Sequence, residues 1–158
     1  VRGIREGLGA FRGAGRRFEH KGTYRGAQVY DDYAHHPTEV AATLHAARER
    51  VGEGRVVVLF QPHLYSRTRN FATEFARALE LADVAVVTGV YAAREDPMEG
   101  VEGNLITDQM ASGVFIEDRF AAADWVAEQA RDGDLVLTVG AGDVTELAPR
   151  ILERVADR

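Results

Sequence analysis

Two polar segments of the sequence carry the residue types that could do chemistry. The first reads DDYAHHPTE from Asp31 to Glu39, and the second reads QPHLYSRTR from Gln61 to Arg69. The first segment combines two carboxylates with two imidazoles. A carboxylate can accept the hydroxyl groups of a ribose, and an imidazole can bind an anion or move a proton near neutral pH. The structural alternative is that one aspartate pairs with a nearby arginine and one histidine caps a helix that begins at Pro37.

The second segment offers a clamp for an anion. Arg67 and Arg69 lie near the start of a predicted helix, where an arginine can hold a carboxylate or a phosphate by two parallel hydrogen bonds. Residues two positions apart on a helix point in different directions. We therefore expect one arginine to bind a ligand and the other to lie on the surface, and Arg67 is our choice for the ligand.

Two other chemistries are weakly indicated. His35, His36 and His63 could converge on a metal, but adjacent histidines usually diverge and no predicted helix carries two histidines four residues apart. We therefore predict no metal site. The GAGD sequence at 140–143 resembles a phosphate loop, yet no Lys-Ser or Lys-Thr pair follows it and the chain lacks a G-x-x-x-x-G-K-[ST] motif. We interpret GAGD as a tight turn between a strand and a helix.

The elements that must position these segments follow an alternating pattern. Short apolar runs without polar alternation predict strands that helices cover on both faces, as in a parallel sheet. Between the runs, apolar residues recur at three- and four-residue steps and predict amphipathic helices. The predicted strands are Val56–Phe60, Val84–Thr88, Val114–Ile116 and Leu135–Val139, and the predicted helical stripes run over 71–82, 120–130 and 144–155.

Both ends of the chain carry further signals. Before the alternation, Arg17–Thr23 and Ala27–Asp31 predict two short strands that could form a hairpin around Tyr24-Arg25-Gly26. At the other end, Asp143 with Glu146 three residues later predicts a capping box for the last helix. In an open parallel sheet, ligands bind beyond the carboxyl ends of the strands. We therefore expect the two polar segments to share one rim of the sheet and to point outward.

Composition limits the function classes. The chain has 158 residues, which is the size of one domain, and 46% of them are hydrophobic. A net charge of −6 excludes a protein whose whole surface binds nucleic acid. The absence of cysteine excludes disulfides, thiol nucleophiles and cysteine-ligated metal sites, and favours a reducing, cytoplasmic compartment. No window approaches 18 apolar residues, so we expect no membrane span.

Three motifs carry a resemblance to a known family. GAGRRFE at 13–19, DDYAHHPTE and FQPHLYSRTR resemble the C-terminal domain of the Mur ligases, and in particular the ligases that add the first amino acid of the peptidoglycan stem peptide. The resemblance covers nearly the whole chain. It implies a Rossmann-like α/β domain of three layers, with a mostly parallel sheet, over residues 17–158. Residues 1–16 would be a linker or a remnant of a preceding central ATPase domain.

The resemblance also implies a reaction. In such an enzyme, ATP phosphorylates the carboxylate of UDP-N-acetylmuramate, and the amine of L-alanine attacks the resulting acyl phosphate. An N-terminal domain would bind the UDP-sugar, and the central domain would supply the phosphate loop and the ligands of Mg²⁺. This chain alone would then be inactive. No nucleic-acid or membrane partner is implied.

Individual residues follow from the same resemblance. Arg17 would contact the phosphates of ATP, and Asp32 would contact its ribose. His35 and Arg67 would hold the incoming amino acid by its carboxylate. Additional candidates for amino-acid binding are Tyr33, His36 and His63.

Two alternatives stay open at the level of sequence. One is a self-sufficient nucleotide-binding α/β module without a ligase partner. The other is a small metal-dependent hydrolase that uses Asp31, His35, His36 and His63. Tight nucleotide binding by the chain alone would favour the first alternative, and a stoichiometric transition metal would favour the second.

Overall fold

The structure, a computed structural model, describes residues 17–154, so the predicted linker at 1–16 lies outside the described residues. The strands are β1 (Glu19–Tyr24), β2 (Ala27–Asp32), β3 (Val56–Phe60), β4 (Val84–Val87), β5 (Val114–Phe115) and β6 (Leu135–Val139). The helices are α1 (Pro37–Val51), α2 (Tyr65–Leu79), α3 (Asn104–Thr107), α4 (Arg119–Gln129) and α5 (Leu147–Glu153), with a 3₁₀ turn at Asp143–Glu146 before α5. No helix over this stretch is both long and apolar enough to span a bilayer.

The six strands of the described region form one sheet in the order β1-β2-β6-β3-β4-β5. Only the pairing of β1 with β2 is antiparallel, and the other neighbours run parallel. Every residue of β3 and of β6 is buried, as the apolar runs predict for strands with helices on both faces. The prediction of a Rossmann-like α/β fold with a mostly parallel sheet is confirmed.

Two cores lie on opposite faces of the sheet. Successive side chains of a strand point to opposite faces, so Val58 and Phe60 enter one core while Val57 and Leu59 enter the other. Helices α1 and α2 cover the first core, and helices α4 and α5 cover the second. The domain therefore has the three layers that the resemblance implies.

The first two strands form the predicted hairpin. Arg25 and Gly26 connect β1 to β2 with φ values of 54° and 82°, the pair of positive φ angles that a tight type I′ hairpin turn requires. A Cβ at Gly26 would lie 2.0 Å from Oδ1 of Asp132. Glycine is therefore required at this turn both for its backbone angle and for the space.

The helix that carries the second polar segment starts earlier than its apolar stripe. Periodicity predicts a helix from Phe71, but α2 begins at Tyr65. Phe71 itself has non-helical angles (φ −122°, ψ 20°), so α2 bends there. The six residues before the bend lie at the rim of the sheet and bear polar side chains, which is why hydrophobic periodicity does not report them.

The capping box predicted for the last helix is wrong. Gly142 occupies the N-cap position of the 3₁₀ turn, and no side chain caps it. The carboxylate of Asp143 instead accepts a hydrogen bond from Nε2 of Gln61 at 2.7 Å and lies 3.4 Å from a guanidinium nitrogen of Arg119. Asp143 thus finds partners across the rim, and the chain completes a 3₁₀ turn before α5 begins.

Candidate functional site

Strand register brings the two polar segments to the same rim of the sheet. Val139 at the end of β6 pairs with Asp32 on one side and with Phe60 on the other, and Phe60 pairs with Val87. Strands β2, β6, β3 and β4 therefore end level with one another. The loops that follow them lie side by side, and the prediction of a shared rim is confirmed.

Four side chains meet at this rim, and we call His35, His63, Arg67 and Tyr91 the rim cluster. The rings of His35 and His63 lie 6.0 Å apart between centroids and are nearly perpendicular. The ring of Tyr91 stacks on the other side of His63 at 5.7 Å. A guanidinium nitrogen of Arg67 lies 3.3 Å from Nδ1 of His63. Arginine and histidine side chains from two segments thus converge, as the sequence predicts.

The rim cluster favours a neutral His63 beside a charged Arg67. Desolvation lowers the pKa of His63, and the positive charges of Arg67 and His35 lower it further, against a weaker opposing effect of Glu95. A neutral imidazole has one nitrogen free to accept a hydrogen bond. Nδ1 of His63 can therefore accept the N–H of Arg67, which leaves the remaining donors of the guanidinium for an anion.

Tyr33 and Glu39 frame the His35 side of the rim cluster. The ring of Tyr33 is 42% exposed and lies 5.2 Å from the ring of His35. Glu39 accepts a hydrogen bond from the backbone N–H of His35 at 3.1 Å and lies 3.5 Å from its Nδ1. Desolvation by itself would raise the pKa of Glu39, but this N–H bond and the charges of His35 and Arg17 together lower it. Glu39 is thus a structural partner of His35.

Arg17 is exposed where the chain enters the domain. The next residue, Phe18, has a φ of 52° and donates its backbone N–H to Oδ1 of Asp32 at 2.7 Å. Its ring packs edge-on against Tyr30 at 4.9 Å, and the guanidinium of Arg50 lies 5.0 Å from its centroid. These contacts hold the backbone beside Arg17 and leave its charged side chain open to solvent.

Both aspartates of the first segment are buried. Asp32 is 2% exposed, and its carboxylate accepts hydrogen bonds from Phe18, from the backbone N–H of Ala34 at 3.0 Å and from the hydroxyl of Thr43 at 3.0 Å. Asp31 is fully buried and accepts hydrogen bonds from two threonine hydroxyls at 2.6 and 2.8 Å. Both carboxylates therefore stabilise the fold, and the contact of Asp32 with a ribose stays a prediction.

His36 caps helix α1, as the structural alternative for one histidine predicts. Its Nδ1 accepts a hydrogen bond from the backbone N–H of Thr38 at 3.3 Å, and Pro37 is the first residue of the helix. The ring of His36 lies 5.1 Å from that of Phe71 on α2. His36 therefore has a local structural role, and its predicted contact with an amino acid stays a prediction.

A cleft of about 620 Å³ opens along the same rim. Its walls come from the loops after β3, β4, β5 and β6, and they include Gln61, Tyr91, Glu102 and Arg119. The expectations from sequence do not include Tyr91 and its neighbours, because they rest on the polar segments after β2, β3 and β6 and not on the residues after β4 and β5. The rule that ligands bind beyond strand ends applies to them equally and could have found Tyr91.

A metal-binding arrangement is not found in residues 17–154, where no group of three or more His, Cys, Asp or Glu side chains is suitably placed. The hydrolase alternative also requires an accessible Asp31. Because Asp31 is fully buried between threonine hydroxyls, the structure does not favour that alternative.

Comparison with known proteins adds a family to this geometry. Residues 16–142 match the family described as "Mur ligase, glutamate ligase domain". A curated UDP-N-acetylmuramate–L-alanine ligase from Saccharopolyspora erythraea is 60% identical over 159 residues, covering 98% of this chain and 32% of the relative. The chain spans about a third of the length of the curated relatives it matches.

Solved structures agree with the sequence comparison. The UDP-N-acetylmuramate–alanine ligase MurC from Thermotoga maritima is 32% identical, with a TM-score of 0.74, over 96% of this chain and 32% of that one. A domain from Haemophilus ducreyi, described as part of a UDP-N-acetylmuramate:L-alanyl-γ-D-glutamyl-meso-diaminopimelate ligase, is 26% identical with a TM-score of 0.69. It covers 88% of this chain and 99% of its own. The family match spans most of the chain, and we conclude that this chain belongs to the Mur ligase family.

Proposed function

We propose that residues 17–158 form the C-terminal domain of an ATP-dependent ligase that joins L-alanine to UDP-N-acetylmuramate, with residues 1–16 as a linker or a remnant of the preceding central ATPase domain. The family match and the 60% identity to a curated ligase of this specificity support the proposal. The phosphate loop, the Mg²⁺ ligands and the UDP-sugar site would lie in central and N-terminal domains of a longer cytoplasmic polypeptide. The chain alone would be inactive.

The observation that carries the proposal is the convergence of Arg67 and His63 opposite His35 at an open rim. The guanidinium of Arg67 would bind the carboxylate of L-alanine, because its planar donors match a carboxylate in two parallel hydrogen bonds. His35 would support this carboxylate from across the rim. Tyr33 would cover the alanine from the solvent side.

The chemistry then needs positioning and exclusion of water. Phosphorylation of the UDP-N-acetylmuramate carboxylate by ATP produces an acyl phosphate, and phosphate leaves after the amine of L-alanine attacks it. A rigid clamp that holds this amine about 3–3.5 Å from the acyl carbon lowers the barrier by several kcal/mol. Closing the rim against the other domains would also protect the acyl phosphate from hydrolysis.

The two predicted ATP contacts differ in how well they fit. Arg17 is an exposed cation and suits a phosphate. Asp32 suits a ribose less well, because its carboxylate already accepts three hydrogen bonds and is 2% exposed. A ribose hydroxyl would have to share an oxygen with the backbone N–H groups of Phe18 or Ala34.

The experiment is a steady-state assay of the longer protein that contains this chain. Phosphate release should require UDP-N-acetylmuramate, L-alanine and ATP together. Arg67→Ala should raise the KM for L-alanine by about 10- to 100-fold, the equivalent of one lost charged hydrogen bond, and leave the KM for ATP unchanged.

Arg69→Ala is the matched control, because Arg69 is an exposed arginine two residues further along the same helix. It should leave both KM values unchanged. Release of phosphate that does not depend on L-alanine would contradict the proposed substrate. Equal increases of the two KM values in Arg67→Ala would contradict the proposed role of Arg67.

A further inference from the structure

We propose that Glu95, in the loop between β4 and α3, is a positioning residue that caps helix α2 and thereby holds Arg67 against His63. The effect of this contact on substrate binding rests on the proposed function. The contact itself can be tested without any substrate.

Helix α2 lacks a cap of its own. Leu64 occupies the N-cap position, forms no side-chain hydrogen bond to the helix, and has a φ of 75°. The first turn of α2 contains no acidic residue. The first backbone N–H groups of a helix have no partner inside the helix and need an acceptor from elsewhere. In α2 that acceptor must come from another part of the chain.

Glu95 supplies the acceptor from a different loop. One carboxylate oxygen accepts the backbone N–H of Ser66 at 3.1 Å, and the other accepts the hydroxyl of Ser66. The hydroxyl bond is the main reason that the pKa of Glu95 is lowered, with further contributions from the backbone N–H groups of Ser66 and Tyr65. A carboxylate at this position also meets the positive end of the helix dipole.

The loop that carries Glu95 is itself tied to the second polar segment. The backbone N–H of Tyr91 donates to the carbonyl of Pro62 at 2.8 Å, and the N–H of Leu64 donates to the carbonyl of Tyr91 at 2.9 Å. The N–H of Glu95 closes a turn on the carbonyl of Ala92 at 2.9 Å. The same loop thus stacks Tyr91 on His63 and directs Glu95 to the start of α2.

Backbone strain marks both segments that this contact joins. Leu64 and Ala93 have positive φ values of 75° and 55°, and neither is glycine. Such conformations persist where tertiary contacts hold them in place. The hydrogen bonds between the loop and the first turn of α2 are contacts of this kind.

Loss of the cap at Ser66 would affect Arg67, which is the next residue of α2. Its guanidinium lies 3.3 Å from Nδ1 of His63, and we expect this contact to require an ordered first turn of α2. Without the cap, this turn would be ordered in a smaller fraction of molecules. The apparent affinity of a ligand falls by the same factor as the population of the binding-competent state.

The first measurement is amide hydrogen exchange on the 158-residue chain. Glu95→Ala should reduce the protection of the Ser66 amide by about tenfold, the typical effect of removing a cap. It should also change the chemical shifts of the His63 ring, and because Glu95→Gln removes the same charge but keeps an acceptor, their return in Glu95→Gln separates the cap from the direct effect of the charge. Glu95→Gln should restore most of the protection, because its amide oxygen can still accept the Ser66 N–H. Glu99→Ala, at an exposed glutamate of the same loop, is the matched control and should change neither readout.

The second measurement is the steady-state assay of the longer protein. Glu95→Ala should raise the KM for L-alanine several-fold, by the factor by which the ordered fraction of the first turn of α2 falls, with the KM for ATP unchanged. Glu95→Gln should recover most of the loss. Unchanged protection of Ser66 in Glu95→Ala would refute the cap. Reduced protection with an unchanged KM for L-alanine would refute the positioning role. If phosphate release by the unmodified protein does not depend on L-alanine, the proposed function is wrong. Hydrogen exchange at Ser66 and the chemical shifts of His63 then still decide whether Glu95 positions Arg67.

Discussion

The segment at 31–39 begins with the last two residues of β2, and the segment at 61–69 follows β3. Both carry charged residues and histidine, yet they use these residues differently. In the first segment, backbone and threonine donors hold Asp31 and Asp32, and His36 caps α1. In the second segment, Arg67 extends along an open rim and the helix depends on Glu95 for its cap.

The comparison teaches how chemical type decides between scaffold and site. A carboxylate accepts hydrogen bonds, and a turn between a strand and a helix presents unpaired backbone N–H groups close to it. A guanidinium only donates, and the first turn of a helix presents N–H donors rather than acceptors. In these two segments the aspartates are therefore held by the fold, while Arg67 keeps donors available for an anionic ligand.

The largest effect is expected when the charge of Asp32 is removed, which tests whether this residue stabilises the fold. Asp32→Asn should lower the free energy of unfolding by about 3 kcal/mol, because an amide group replaces one oxygen in a buried site that faces hydrogen-bond donors. Urea denaturation of the chain at pH 7 measures the change. Asp96→Asn, at an exposed aspartate, should have no effect. A loss below 1 kcal/mol for Asp32→Asn would show that Asp32 is free for another role.

A smaller effect on stability is expected at His36, which caps α1, whereas His35 is proposed to bind the substrate. His36→Ala should lower the free energy of unfolding by about 1 kcal/mol, because the N–H of Thr38 loses its acceptor. His36→Asn should recover part of this loss, since asparagine is a good cap. Thermal or urea denaturation measures both variants. In the longer protein neither variant should change the KM for L-alanine, and a rise in that KM would place His36 at the substrate.

The smallest effect concerns the pH dependence of stability at His63. Burial and Arg67 lower the pKa of His63 in the folded state, so between its folded and unfolded pKa values the unfolded state binds more protons. Stability should therefore fall as the pH drops from 7.5 through about 6.5 toward the lowered folded pKa.

His63→Gln should make the pH dependence of stability shallower over this range, as measured by urea denaturation at several pH values. His45→Gln, at an exposed histidine of α1, is the control and should keep the slope of the unmodified chain. A steeper slope in His63→Gln than in the unmodified chain would mean that the folded state raises the pKa of His63.

Sequence reasoning recovered the strands and the shared rim better than the details of the helix ends. The bounds predicted for β3 and β6 are those of the structure, because a continuous apolar run between a charged residue and a polar residue or glycine leaves little choice. The spacing of Asp143 and Glu146 predicts a cap, but Gln61 and Arg119 bind the carboxylate of Asp143 from distant positions in the sequence. Capping motifs predict only what local partners do.

The sequence does not indicate Glu95 and Tyr91 for the same reason: their contacts are with distant parts of the chain. Glu95 is 29 residues from the Ser66 that it contacts, and nothing in the spacing of the two residues indicates that they meet. Tyr91 could have been noticed as a residue after a strand, but its stacking on His63 depends on how β4 lies beside β3. Pairing between strands is a long-range property.

By itself, the sequence determined the layered α/β architecture and the family, because apolar periodicity and the motifs at 31–39 and 61–69 are local patterns. Only the tertiary structure decided which polar residues the fold consumes and which it leaves at the rim. A side chain is free or bound according to the donors and acceptors around it, and those come from loops that the parallel sheet brings together from distant parts of the chain.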